Sequence, residues 1–438
     1  MPQRGLGANS GGIPSTKKPG VSASDKRLLA MDNSVDDSQI SEPIGIGKRN
    51  PNPRSPNGSE LRRAIHEHLE KAGFSKNGKG YVIEGTLTKQ RIRDFHAIKR
   101  TEVMQKNRKF IEEYGLELVA NLADGKQVNP ESIDPELVEV KSESKESLLF
   151  RFACLLWSVP VSHGFGRRIR FLVRDRQNGQ LIGLFALGDP VFNLSARDKW
   201  IGWTSEDRKN RLVHVMDAYV VGAVPPYSHL IGGKLVAALM GSEEVKKVYE
   251  RKYLGREAVI SKKENRARLV LITTTSAMGR SSLYNRLFIP DGPRFVRIGE
   301  TRGFGHFHLS GEIFALMRGY LQEIGHPYAT GHRFGMGPNW RMRVARTAME
   351  KIGLDANDIL NHGIAREVYA LPLARNWQEV LLGNHRKVRS CVLPASQIVK
   401  FCLKRWVGPR ASRDKRYLDF TRDTIMEHLL NGGVEAAW

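Results

Sequence analysis

Two apolar runs, each interrupted by a single acid, set the strongest constraint on what this chain can fold into. Residues 181–240 read LIGLFALGDPVFNLSARDKWIGWTSEDRKNRLVHVMDAYVVGAVPPYSHLIGGKLVAALM, with Asp189 and Asp217 placed among Ile, Val, Leu and Phe. Burying an unpaired carboxylate costs several kcal/mol, so each acid needs a partner, and nearby Arg and His side chains are available for it. Between the runs lies a cationic, tryptophan-bearing connector, Arg197-Asp198-Lys199-Trp200-Ile201-Gly202-Trp203. Trp200 and Trp203 suit either a packed core or stacking on bases.

The surrounding pattern describes a sheet. Residues 168–175 and 181–187 are strand-like, and Asn178-Gly179 between them supplies the positive φ angles of a tight hairpin, so they pair antiparallel. Residues 212–221 form a third strand, followed by Gly222, Pro225, Pro226 and a helix over 234–240 that Gly232-Gly233 opens. A fourth strand at 269–275, a short helix at 283–288 and a fifth strand at 295–298 complete the series. The class is α/β or α+β, a central mixed sheet with helices packed on it and helical regions on both sides.

This element order resembles the acyl-coenzyme A N-acetyltransferase fold. The resemblance implies that Gly232-Gly233 holds a pyrophosphate at a helix N-terminus, and that Tyr284 stands where such enzymes place a proton donor. The loop departs from that family's Gln/Arg-x-x-Gly-x-Gly/Ala spacing, reading His229-Leu230-Ile231-Gly232-Gly233. A double glycine at such a turn also serves close packing.

The flanks differ in character. Residues 1–58 are rich in Gly, Ser, Pro and Asn with isolated apolar residues, which predicts a disordered tail. Residues 59–144 read as a basic helical region, with Leu61, Ile65 and Leu69 four apart and a long helix over 87–113. That helix carries Lys89, Arg91, Arg93, Lys99, Arg100, Lys106, Arg108 and Lys109, and a loop-rich acidic connector follows. Residues 145–308 hold the central sheet. Residues 309–438 are mostly helical and basic, with helices at 310–324 and 341–352 and a strand at 368–373.

Lys and Arg outnumber Asp and Glu by 69 to 46, a net charge of +23, and such an excess attracts polyanions, nucleic acid first among them. Cys154, Cys391 and Cys402 are too widely spaced for a disulfide framework or a metal knuckle. With no apolar run of membrane-spanning length, a soluble cytoplasmic protein with no membrane partner is expected. There is no G-x-x-x-x-G-K-[ST] loop, H-E-x-x-H or G-x-S-x-G, so a nucleotide-driven motor is not expected on this chain.

Several long strings point to a family: SVPVSHGFGRRIRFLV at 158–173, LGDPVFNLSARDKWIGW at 187–203 and MDAYVVGAVPPYSHLIGGKLVA at 216–237, then TTTSAMGRSSLYNRL at 273–287 and IGETRGFGHFH at 298–308. In these the chain resembles the DruA family of the Druantia antiphage defence system from about residue 60 to 310, with a softer echo at HGIAREVYALPLARN, 362–376. The resemblance implies a defence role and partner subunits, without a settled chemistry. The residues themselves nominate Gly-rich turns. Arg167, Arg168, Arg197, Lys199 and Arg302 are candidate nucleic-acid contacts, since guanidinium groups bind phosphate bidentately. Asp217, Glu300 and His306, with Tyr284, are the catalytic candidates. Asp217, Glu300, His306 and His308 together offer a ligand set for a divalent metal that activates water. Asp189 and Asp217 also suit ion pairs with Arg167, Arg168 or Arg197 inside the sheet. Three functions remain open: a subunit that contacts and acts on nucleic acid, an acyltransferase-like enzyme using coenzyme A, and a noncatalytic sensor or adapter.

Overall fold

The computed structural model describes residues 56–77, 80–83, 85–162, 164–256, 267–331 and 338–430. The expected tail lies almost wholly outside the described residues, as does His163. Nine strands are described: β1 (Ser75–Asn77), β2 (Gly80–Val82), β3 (Pro135–Glu139), β4 (Ile169–Asp175), β5 (Leu181–Gly188), β6 (Val215–Ala223), β7 (Leu271–Thr275), β8 (Val296–Glu300) and β9 (Glu367–Pro372). The helices are α1 (Gly58–Lys71), α2 (Lys89–Val119), α3 (Lys145–Cys154), α4 (Ser195–Ile201), α5 (Ser205–Arg211), α6 (Gly232–Leu239) and α7 (Glu243–Tyr253). There follow α8 (Gly311–Glu323), α9 (Pro338–Lys351), α10 (Ala356–Leu360), α11 (Trp377–Leu382), α12 (Ala395–Cys402), α13 (Gly408–Arg413) and α14 (Asp423–Leu430).

Strands β3 to β9 form one mixed sheet in the order β3-β4-β5-β6-β7-β9-β8. Among the described residues the one parallel junction in it is β6–β7, paired over Val215–Asp217 and Leu271–Thr273; the other pairs are antiparallel. Between the parallel strands β6 and β7 lie the glycine turn and two helices, α6 and α7, where a single helix was expected. The Asn178-Gly179 hairpin is present, and Phe171 on β4 faces Phe185 on β5 with rings stacked at 5.1 Å, a cross-strand pair that fixes register.

Both faces of the sheet are covered. Phe171, Phe185, Leu187 and Met216 pack against α6, α7 and α12 through Leu235, Val236, Tyr249 and Ile398. Leu172, Leu184 and Ala186 pack against α2, α3 and α14 through Ile111, Leu149, Phe152 and Ile425. Away from the sheet a helical core joins α1, α8 and α9 through Leu61, Ile65, Leu69, Met317, Trp340 and Val344. This core joins elements far apart in sequence, from Leu61 on α1 to Val344 on α9.

Three expectations are corrected. The acidic connector contains β3, which pairs with β4 from Pro135↔Asp175 to Glu139↔Phe171. Residues 283–288 form successive turns and no helix, because Arg286 adopts φ +60° and the Leu287 amide closes a turn onto the Tyr284 carbonyl at 3.1 Å. Arg100 on α2 does not face solvent: it is buried and donates to the carbonyls of Leu155 and Trp157. Trp203 is buried and donates to the Leu381 carbonyl at 2.7 Å, while Trp200 stacks on Trp377 at 4.0 Å, so both contribute to packing. Among the described residues no helix is long and apolar enough to cross a membrane.

Candidate functional site

Strand β8 pairs with β9 alone in the sheet and is irregular between Arg297 and Gly299. At its end Glu300 lies in register with Glu367, the first residue of β9. Two carboxylates placed side by side repel unless a cation joins them. Arg297 does so, donating to Glu367 at 2.9 Å from Nε and to Glu300 from Nη2. Glu367 is 8% exposed and also accepts from the Ser281 amide at 2.9 Å and the Tyr369 hydroxyl at 2.6 Å. Burial by itself would raise its pKa; Tyr369, Ser281 and Arg297 together bring it below the ordinary carboxylate value.

Glu300 borders two clefts. One, of about 510 Å³, is lined by Gly279, Arg280, Arg297, Glu300, Ala365 and Glu367. The other, of about 420 Å³, is lined by Ser195, Ala196, Lys199, Trp200, Ile298, Gly299, Glu300 and Arg302. Arg280, Lys199 and Arg302 are exposed, and among the described residues none of the three forms an ion pair. Glu300 thus sits between two solvent-open clefts rimmed by uncommitted cations.

The other candidate arginines are used differently. Arg167 donates to Asp189 at 2.7 Å, to the carbonyls of Val213 and Val215 at 2.7 and 3.0 Å, and to the Tyr249 hydroxyl at 2.7 Å. Asp189 is thereby an ion-pair partner, and Gly166 is required beside it, since a Cβ there would lie 1.9 Å from the carboxylate. Arg197 is fully buried, bonded to Asp198 at 2.8–2.9 Å and to the carbonyls of Val191 and Phe192. A guanidinium already saturated by protein acceptors has nothing left for phosphate. Arg168 has an exposed side chain, while its backbone is bonded to the Tyr253 hydroxyl.

Asp217 and Tyr284 lie within the sheet layers. Asp217 accepts from Thr273 at 2.7 Å across the β6–β7 junction, and desolvation pushes its pKa up to about 6 against the pull of Thr273 and Arg197. Tyr284 is buried, stacked on Phe295 and tilted against Tyr369, with its pKa pushed up to about 12 by burial. A raised acid pKa means that the ionised form is less favourable folded than unfolded. The cost develops between 3.8 and about 6 and is complete above that range. Asp217→Asn keeps an acceptor for Thr273 and removes the charge. It is expected to stabilise the fold by up to about 3 kcal/mol above pH 6, with the gain gone below pH 4. Denaturant titration of both proteins at the two pH values reads this directly; an unchanged midpoint above pH 6 refutes it.

His306 and His308 are not neighbours on a strand, because β8 ends at Glu300 and Gly303, at φ +68°, starts a run of turns. His308 is buried, with Nε2 bonded to the Ile359 carbonyl at 3.0 Å and Nδ1 lacking a partner among the described residues. Its ring belongs to a cluster around Phe307 that also includes His96 and His362. Burial depresses the pKa of His306, His308 and His96 to about 4 and that of His362 to about 3, with nearby Arg341 and Arg366 adding to the effect at His306 and at His96 and His362. The four candidate ligands Asp217, Glu300, His306 and His308 do not assemble. Among the described residues no three His, Cys, Asp or Glu side chains gather as an ion would require, and Glu300 and Glu367 are already joined by Arg297. These residues as arranged do not fit a divalent metal.

Sequence reasoning missed Glu367, Arg297 and Arg280. The signal was an acid opening an apolar run, Arg366-Glu367-Val368-Tyr369-Ala370-Leu371, which repeats the pattern that singled out Asp217.

Comparison with known proteins covers this site. The chain is 44% identical over 379 residues to the Druantia protein DruA of Escherichia coli (strain UMEA 4076-1), a match spanning 86% of this chain and 93% of that protein. No solved structure matches it. The family model described as Druantia protein DruA matches residues 86–383, a span that takes in both β8 with Glu300 and β9 with Glu367. With the match extending over most of its length and across the Glu300–Glu367 clefts, the chain belongs to the DruA family.

Proposed function

We propose that the chain, as a component of the Druantia antiphage defence system, contacts nucleic acid through the cationic rim of the two clefts around Glu300. The observation that carries this reading is the trio Lys199, Arg280 and Arg302: exposed, without ion-pair partners among the described residues, and converging on open clefts. Free surface cations next to a cleft favour an extended polyanion, and the net charge of +23 adds long-range attraction. Arg197 supports this surface by fixing the connector that carries Lys199, and Arg167 by tying Asp189 to the start of β6. Glu300, joined to Arg297, is the group at the centre of the clefts through which any chemistry on a bound strand would pass; Asp217, His306, His308 and Tyr284 act through the framework around it.

The test is a binding and cleavage assay on labelled DNA, with and without Mg²⁺ or Mn²⁺. Lys199→Glu with Arg302→Glu is expected to weaken binding at least about tenfold and to lower the slope of log affinity against log salt by about two, one per lost phosphate contact. Cleavage abolished by Glu300→Ala would make the clefts a catalytic site, whereas salt-sensitive binding without cleavage assigns the chemistry to another subunit. Failure of the wild-type chain to bind DNA at low salt would overturn the reading.

A second reading, an acyltransferase-like enzyme using coenzyme A, draws support from the glycine turn and helix α6 that follow β6 ahead of its parallel partner β7. Against it, the glycines are needed for packing: a Cβ on Gly232 would meet the Tyr227 carbonyl at 2.7 Å, and one on Gly233 would meet Leu283 at 3.2 Å. Calorimetric titration with coenzyme A separates the two.

A further inference from the structure

A second surface carries aromatic rings interleaved with cations. Phe288 is 48% exposed, although the turn that bears it is otherwise anchored by Leu287 and Ile289. Its ring lies 6.4 Å from that of Phe401, at the end of α12, and Phe401 meets Trp406 edge-on at 5.6 Å. That second contact depends on an irregularity. Positions five apart stand about 140° around a regular α-helix. Residues Leu403–Val407, however, form one π turn, whose i→i+5 bonding closes that angle and brings Trp406 beside Phe401. Such turns are frequent at functional sites. Lys234, held by the carbonyls of Leu283 and Asn285, lies over the Trp406 ring at 5.6 Å.

Cations flank the rings along the chain. Arg286 stands two residues before Phe288, and Lys404 and Arg405 stand between Phe401 and Trp406; all three are exposed, and no ion pair is formed by any of them among the described residues. A partly exposed ring cluster interleaved with free cations is suited to a ligand that is both aromatic and anionic along its length. Duplex DNA hides its base faces, whereas a single strand offers them. The patch also shares a chain segment with the clefts: Arg280 lines the larger cleft and Phe288, eight residues on, reaches the patch.

We propose that this patch is a stacking platform for single-stranded nucleic acid, with bases packed on Phe288 and Trp406 and phosphates held by Arg286, Lys404 and Arg405. It rests on the nucleic-acid reading above, and adds the strandedness of the ligand and a second contact, joined to the larger Glu300 cleft by the segment from Arg280 to Phe288.

The experiment uses the full chain, labelled oligo(dT) and a duplex of equal length, read by fluorescence polarisation and by tryptophan emission. Phe288→Ala, at an exposed position, is expected to lose roughly fivefold or more in oligo(dT) affinity, with duplex affinity unchanged. Lys404→Glu with Arg405→Glu should weaken oligo(dT) binding further and reduce its salt dependence. Oligo(dT) should quench tryptophan emission in the wild type and markedly less in Trp406→Phe, a variant that keeps an aromatic ring in the packed position. If these variants bind oligo(dT) as the wild type does while Lys199→Glu with Arg302→Glu weakens binding, the platform is refuted and the cleft reading stands. No binding of either DNA by the wild type sinks both. Unchanged oligo(dT) affinity together with a smaller species in sedimentation for Phe288→Ala would make the patch an interface between copies, and would equally overturn the proposal.

Discussion

Arg197→Ala is expected to cost 3–5 kcal/mol of folding free energy, the scale measured on removing one partner of a buried charge pair. The side chain has no exposure and holds the connector together from within. Its Nε and Nη2 reach Asp198, and Nη1 and Nη2 reach the carbonyls of Val191 and Phe192. Its removal leaves those carbonyls without a donor and Asp198 with Arg208 alone, at 2.8 Å. The loss extends to Asp217, whose pKa Arg197 pulls down against desolvation, so that pKa is expected to rise above about 6 in the variant. Arg197→Lys keeps a charge but lacks the planar fork, and should recover only part of the stability. Denaturant unfolding of the three proteins provides the check; a cost below about 1 kcal/mol for the alanine variant would show that the connector does not depend on this residue.

Acid is expected to unfold the protein well above the pH at which its carboxylates protonate. His96, His306, His308 and His362 have folded pKa values of about 4, 4, 4 and 3 against 6.5 when unfolded. The folded pKa is depressed, so the stability these groups contribute is complete above 6.5 and is lost as pH falls toward 4. At pH 5 each isolated group would cost about 2 kcal/mol, reduced where the rings interact with one another. His308 shows the cause: protonation would place a second N–H at Nδ1, where no acceptor is found among the described residues. Asp217 titrates in the opposite sense and gives back a part. Thermal unfolding between pH 7 and pH 5 should therefore show a steep fall in midpoint. His308→Asn should flatten it. A midpoint constant over that interval would refute the assignment of neutral buried rings.

The meander at the centre of the sheet was readable because its signals are local. Asn178-Gly179 specifies a turn, and uninterrupted apolar runs on either side specify buried strands. β3 was hidden because Pro135, Glu136 and Glu139 look like a solvated connector, and only pairing with β4 makes that stretch a strand. The short helix expected at 283–288 failed for a related reason: tertiary packing of Tyr284 against Phe295 and Tyr369 outweighs helical propensity over six residues. At the candidate site, Glu300, Lys199 and Arg302 were nominated from their turns. Their neighbours Arg297 and Glu367 were not, because the ion pair joining them spans 70 residues of sequence and leaves no spacing to read. The cationic candidates divided by burial, which the residue types alone do not encode: Arg197 is enclosed, whereas Arg302, equally basic, stays in solvent.

The parallel junction of β6 and β7, three residue pairs long, also bears on how the chain reaches this structure. On one side of it, β4 and β5 are joined by a hairpin and β6 completes a meander of short sequence separation. On the other, β7 meets β9 from Leu271↔Pro372, about a hundred residues apart in sequence. Loop-closure entropy has to be met before such distant contacts form, and folding rate falls with contact order. The meander is therefore expected to assemble before the Glu300–Glu367 edge, which needs the chain beyond residue 367 and is the more exposed to misassembly in a nascent or truncated chain.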